Sequence, residues 1–293
     1  MPVPAWLRAG FQVTSAVSPQ TAGRLALKLF FTPQRLRARP EERKVLAGGV
    51  RFTLTAGEAP VVGWAWGSGP AVLLVHGWSG NAAQMTALVQ PLVEAGFQPV
   101  ALDMPAHGES GGSLSSLVHF ESALRQATAL FAPVHGLIGH SFGAAAATFA
   151  LSRGLPVGRA VYFASPSRFD SFWSRFRAGL GVTDAVWSRM MRRAEQWLEV
   201  RFDEIAPATL APSMKVPLLV FHDRGDREVA YDEGVELTGA WPGARLETLE
   251  RLGHRRLLSD PSCISATLDF LRRQAPKSVP NLAPCVSPKT FAP

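Results

Sequence analysis

Five short apolar runs, at 71–75, 99–102, 135–138, 160–163 and 216–221, constrain this chain more than any other feature. Each is continuous rather than alternating. A strand buried on one face alternates apolar with polar residues, whereas an unbroken run is buried on both. Helix-like stretches at 81–95, 116–131 and 143–153 separate several of the runs. Strands that alternate with helices in this way predict an α/β fold, a mostly parallel sheet with helices on both faces. Segments 51–55 and 61–66, around a turn at 57–60, read as two strands at its start.

Residues 166–212 break the rhythm. They carry Phe169, Phe172, Trp173, Phe176, Trp187 and Trp197 at helical spacing among arginines and acids. Ligands of open α/β sheets bind beyond the carboxyl ends of the strands. An insertion after a strand at that edge is therefore expected to form a small helical cap. The domain organisation reads as an N-terminal helical extension (1–45), a main domain (46–274) containing the cap, and a proline-rich tail (275–293). In the extension, 21–31 predicts a helix and 32–40 is basic. Its apolar residues suit docking on the main domain better than membrane contact through 20–39, since so short a helix is weak by itself.

Of the 293 residues, 47% are hydrophobic and 18% charged, enough apolar material for a large core. No apolar run approaches the roughly 18 residues of a membrane span, and the first residues lack the pattern of a secretory signal. Two cysteines, Cys263 and Cys285, supply neither a disulfide framework nor a metal cluster. Such sparse cysteine suits a reducing, cytoplasmic setting. The net charge of +7 is spread along the chain, with pairs such as Arg192-Arg193 and Arg255-Arg256. A nucleic-acid binder gathers its charge into a stripe, so the pattern reads as a solvated surface with no nucleic-acid partner.

The run at 135–138 leads into Gly139-His140-Ser141-Phe142-Gly143 and then four alanines, a strand, a sharp turn and a helix start with a serine at the apex. A serine hydroxyl is a poor nucleophile until a base takes its proton. Among seven histidines, His254 stands out. It follows Gly253 in a loop between a strand near 244–249 and the last helix. His140 adjoins the serine, but neighbouring side chains on a turn diverge, and His76 reads as a loop-shaping residue. A carboxylate to orient the base is expected after the run at 216–221. Asp223 and Asp226 are both candidates there. Asp223 sits close enough to the strand to close the turn by a local hydrogen bond, which favours Asp226. Backbone N–H groups of Phe142 and Trp78 are the expected donors to a developing oxyanion.

These motifs together resemble the α/β-hydrolase superfamily, in the branch of bacterial serine esterases and lipases. The order Ser141, Asp226, His254 is similar to that family's serine, acid, histidine order, and His76-Gly77-Trp78 resembles its oxyanion loop. Asp103-Met104-Pro105-Ala106-His107-Gly108-Glu109-Ser110 resembles its turn after the following strand, with Ala106 where that turn has its first glycine. Asp223 stands where many relatives carry glycine. The resemblance covers roughly 50–274. It implies eight strands, a small lid over an acyl pocket, and two-step acyl transfer on a small-molecule ester with an apolar acyl or alcohol group. It implies no metal or organic cofactor. The same triad serves acyltransferases, thioesterases and carbon–carbon hydrolases, and a non-catalytic ligand binder on this scaffold is the reading from another class.

Overall fold

The computed structural model describes residues 4–57 and 59–273. The tail at 275–293, with Cys285, lies outside them. One sheet of eight strands organises the chain: β1 (Val50–Ala56), β2 (Ala59–Ala65), β3 (Ala71–Val75), β4 (Gln98–Leu102), β5 (Val134–His140), β6 (Ala160–Phe163), β7 (Leu218–Asp223) and β8 (Arg245–Leu249). Their spatial order is β1-β2-β4-β3-β5-β6-β7-β8. The hairpin β1–β2 and the β2–β4 pairing are antiparallel, and every later pairing is parallel. This is the mostly parallel α/β sheet that the apolar runs predict.

The continuous runs are buried on both sides. Leu73, Val75, Leu137, Leu218 and Val220 belong to the core on one face. Their neighbours Val72, Leu74, Ile138, Leu219 and Phe221 belong to the core on the other. Helices Leu117–Leu130, Phe142–Ser152 and Tyr231–Ala240 supply the first layer. Helix Pro261–Arg272 and the segment from Ala82 to Glu94 supply the second. That segment is a 3-10 turn (Ala82–Leu88) followed by an α-helix (Val89–Glu94), where the sequence predicts one helix. β7 begins at Leu218 rather than 216, as Pro217 has no N–H to give a central ladder.

β4 and β5 flank β3 on opposite sides. The strand order therefore reverses at β3, and a crevice opens at the carboxyl ends there. Val75 pairs with Gly139. The loop after β3 and the turn after β5 thus emerge side by side.

Two sources of helix cover this edge. Asp170–Leu180 and Asp184–Leu198 follow β6. Pro19–Phe31 lies against them and buries Ala22, Gly23, Ala26, Leu27 and Phe31. Phe30 packs edge-on against Phe172, Phe176 and Trp187, and Phe31 against Trp197. Two helices not expected from the sequence, Ala5–Val17 and Pro40–Ala47, flank this segment.

Candidate active site

β5 ends at His140, and Phe142 begins the next helix, which leaves Ser141 alone to turn the chain. Its φ of 52° and ψ of −123° lie where side chains other than glycine's are strained. Neighbouring glycines make the turn possible. A Cβ on Gly143 would sit 2.4 Å from the carbonyl oxygen of His76, and one on Gly139 would sit 2.8 Å from Cα of Ala144. The Ser141 N–H donates to the Phe163 carbonyl at 2.9 Å, which ties the turn to β6. Phe142 is the first residue of its helix, and the first N–H groups of a helix have no intrahelical acceptor.

The two aspartates after β7 have separate partners. Asp223 accepts from the N–H groups of Gly225 and Leu252, both at 2.7 Å. Its two oxygens stitch its own turn to the loop before His254. Asp226 Oδ1 accepts from Glu228 and Val229 at 2.8 and 3.1 Å. Its Oδ2 accepts from His254 Nδ1–H at 2.8 Å. Burial raises the Asp226 carboxyl pKa, but the hydrogen bond and charge of His254 and the two backbone donors outweigh it and hold the group below the usual carboxylate range. With Nδ1 carrying the proton, the lone pair of His254 is on Nε2.

Ser141 and His254 line one cleft of about 150 Å³, together with Trp78, Phe142, Phe172 and Glu228. A smaller apolar cavity is lined by Trp78 and Phe142 together with Phe30, Phe169, Trp173 and Phe202. The rings of Trp78 and Phe142 pack edge-on, with centroids 5.1 Å apart. Among the described residues no group of three or more His, Cys, Asp or Glu side chains converges as a metal-binding set.

The loop after β3 and the turn after β4 are braced from three directions. His76 accepts from the Met104 N–H on Nε2 at 3.0 Å and donates from Nδ1 to the Gly77 carbonyl at 2.7 Å. Burial first, and His107 second, hold it well below the ordinary histidine range, so it stays neutral as this pattern requires. Asp103 accepts from Ala82 and Glu109 at 2.6 and 2.7 Å. A Cβ on Gly108 would overlap that carboxylate, at 2.0 Å. Ala106 takes φ of 66°, so alanine keeps the left-handed conformation for which the family turn uses glycine. The third brace comes from the N-terminal extension. Arg35 donates to the carbonyls of Gly108, Ser110 and Gly112, and the Gln34 N–H donates to Ser79 Oγ. The basic segment at 32–40, which reads from the sequence as surface, thus straps the loops around the cleft.

His140, Arg35 and Glu228 escape the sequence reading. His140 lines the same cleft as Ser141, and its Nε2–H donates to the His254 carbonyl at 2.8 Å. Glu228 places Oε2 3.8 Å from His254 Nε2 and Oε1 3.6 Å from Arg255 Nε. A carboxylate two residues beyond Asp226 is the only sequence signal for it.

Residues 72–262 match the sequence model of the Alpha/beta hydrolase family. The chain belongs to that family. Over 86 residues it is 40% identical to "Serine hydrolase-like protein" of Homo sapiens; the match covers 27% of this chain and 42% of that relative. A second human relative, "Serine hydrolase-like protein 2", matches over 86 residues at the same identity and is covered to 27%. This chain therefore spans less than half the length of the curated relatives it matches. Among solved structures, the Pyrococcus furiosus esterase Pf2001 superposes with a TM-score of 0.64 at 20% identity, covering 84% of this chain and 98% of that one. A putative lipase (lip1) from Acinetobacter baumannii AYE gives 0.62 at 18%, covering 79% and 93%. Identities this low show a shared fold.

Proposed function

We propose that this α/β hydrolase cleaves carboxylic esters through an acyl-enzyme on Ser141. The observation that carries the reading is the 2.8 Å bond to buried Asp226 from Nδ1–H of His254, a residue that lines the same cleft as Ser141. His254 Nε2 takes the proton of Ser141 Oγ as that oxygen attacks the ester carbonyl. Negative charge collects on the carbonyl oxygen, where the N–H groups of Trp78 and Phe142 receive it; one such donor is worth roughly 100- to 1000-fold in rate. Collapse breaks the bond to the alcohol oxygen, which leaves with the proton from His254. Water, deprotonated by the same imidazole, then releases the acid and regenerates Ser141. Asp226 holds the tautomer and stabilises the imidazolium. The aromatic cavity supports an apolar acyl or alcohol group.

Turnover of short aryl esters tests the reading. Ser141→Ala is expected to abolish it with an unchanged circular dichroism spectrum. Full activity in that variant would reject the assignment. Transfer to added alcohols in excess of hydrolysis would point instead to an acyltransferase.

A further inference from the structure

The first helix, Ala5–Val17, buries only Phe11. A helix turns 100° per residue, which puts Trp6, Ala9, Gly10, Val13, Ala16 and Val17 on one side, and all six are exposed. Trp6 is 75% exposed and Val17 82%. No side chain of this stripe is charged or polar.

Val17 also stands at the rim of a cleft of about 500 Å³ between Pro19–Phe31 and Asp184–Leu198. Arg24, Arg189 and Arg192 are among its lining residues, and no Asp or Glu is. Gly23 faces Arg189 across the two helices, where a Cβ would lie 3.4 Å from that of Arg189. Arginines far apart in sequence therefore share one space. The chain up to residue 40 continues the bias, with six Lys or Arg and no Asp or Glu.

The two features ask for different chemistry at one place. Guanidinium groups around a common space repel one another and are relieved by anions, above all by phosphate oxygens. A solvated tryptophan and two valines gain by leaving water, and an indole suits the boundary between lipid headgroups and acyl chains. A bilayer with anionic headgroups meets both demands through Val17, where stripe and cleft join. We propose that this face docks onto an anionic phospholipid surface. None of its residues lines the cleft at Ser141, so the proposal stands apart from the ester-hydrolase reading.

Cosedimentation of the full chain with vesicles tests it. Vesicles of phosphatidylcholine mixed with phosphatidylglycerol should bind at least about tenfold tighter than phosphatidylcholine alone, with the gain lost in high salt. The exposed-site variants Arg24→Glu with Arg192→Glu, and separately Trp6→Ser with Val17→Ser, should each lower that binding at least about tenfold, with unchanged circular dichroism and melting temperature. Equal binding to both vesicle types, no binding to the mixed ones, or binding that neither pair of substitutions lowers would overturn the proposal. So would glycerophosphate occupying the cleft while vesicles remain unbound, or a dimer in light scattering that Trp6→Ser dissolves.

Discussion

His140 Nε2–H donates to the main-chain carbonyl of His254 at 2.8 Å, which ties the residue before the serine to the backbone of the base. Their rings lie 4.8 Å apart. Burial first, and the charge of His254 second, lower the His140 pKa to about 3, so it donates as a neutral ring. In the proposed mechanism this bond would hold the backbone of His254 in place. His140→Phe should lower kcat roughly 10- to 100-fold, as expected when a positioned group drifts by about 1 Å. KM should stay within about threefold if His140 acts only through His254. A KM rise alone would assign His140 to substrate binding.

The two aspartates separate in kind. Asp226→Asn leaves an amide opposite His254 Nδ1 and disfavours the tautomer that the base needs, so kcat should fall by about 1000-fold or more with a small change in melting temperature. Asp223→Asn keeps one acceptor for two N–H groups, those of Gly225 and Leu252. An unsatisfied buried donor costs about 1–3 kcal/mol, so this variant should melt several degrees lower. Steady-state kinetics beside calorimetry on both variants checks the split.

Arg35 lies outside the residues matched to the family, yet it holds three carbonyls of the loop that Asp103 also pins. Arg35→Ala should cost about 2 kcal/mol in urea unfolding, as a charged donor bonded to several acceptors implies. Arg35→Lys, which keeps the charge but not the fork, should recover only part of it. Full recovery by lysine would mean that charge alone matters there.

Buried histidines make stability pH-dependent. Burial first lowers His107 to about 4 and His140 to about 3. The unfolded chain binds protons on these rings near pH 6.5 and the native state does not. Their stabilisation is therefore complete above pH 6.5 and declines as pH falls toward 4, each group by about 1.4 kcal/mol per unit. Asp103 runs the other way: burial first raises it to about 6, against its two backbone donors, so its stabilisation is present below 3.8 and lost as pH rises through 6. Two rings outweigh one carboxyl, and unfolding free energy should fall between pH 6.5 and 4.5. The wild type should lose more over that range than His140→Phe; equal slopes would contradict the burial argument.

What the sequence made legible was local. Runs buried on both faces announced the parallel sheet, and the strand, turn and helix around Ser141 were readable from glycine spacing. Asp223 and Asp226 share one turn, and distant partners tell them apart, the Leu252 N–H for the first and His254 for the second. Arg35 and His140 bond to main-chain carbonyls, and a carbonyl leaves no mark in a sequence. Ala5–Val17 buries only Phe11, so its apolar residues do not mark a core-facing stripe. The arginines looked scattered because two helices far apart along the chain bring them together.

Phosphonylation by a fluorophosphonate, mapped by mass spectrometry of the digested protein, reads out whether Ser141 is the nucleophile. A single adduct on Ser141 is expected, formed far more slowly in His254→Ala and absent in Ser141→Ala. An unlabelled Ser141 in the folded wild type, or an adduct on another serine that persists in Ser141→Ala, would contradict that role.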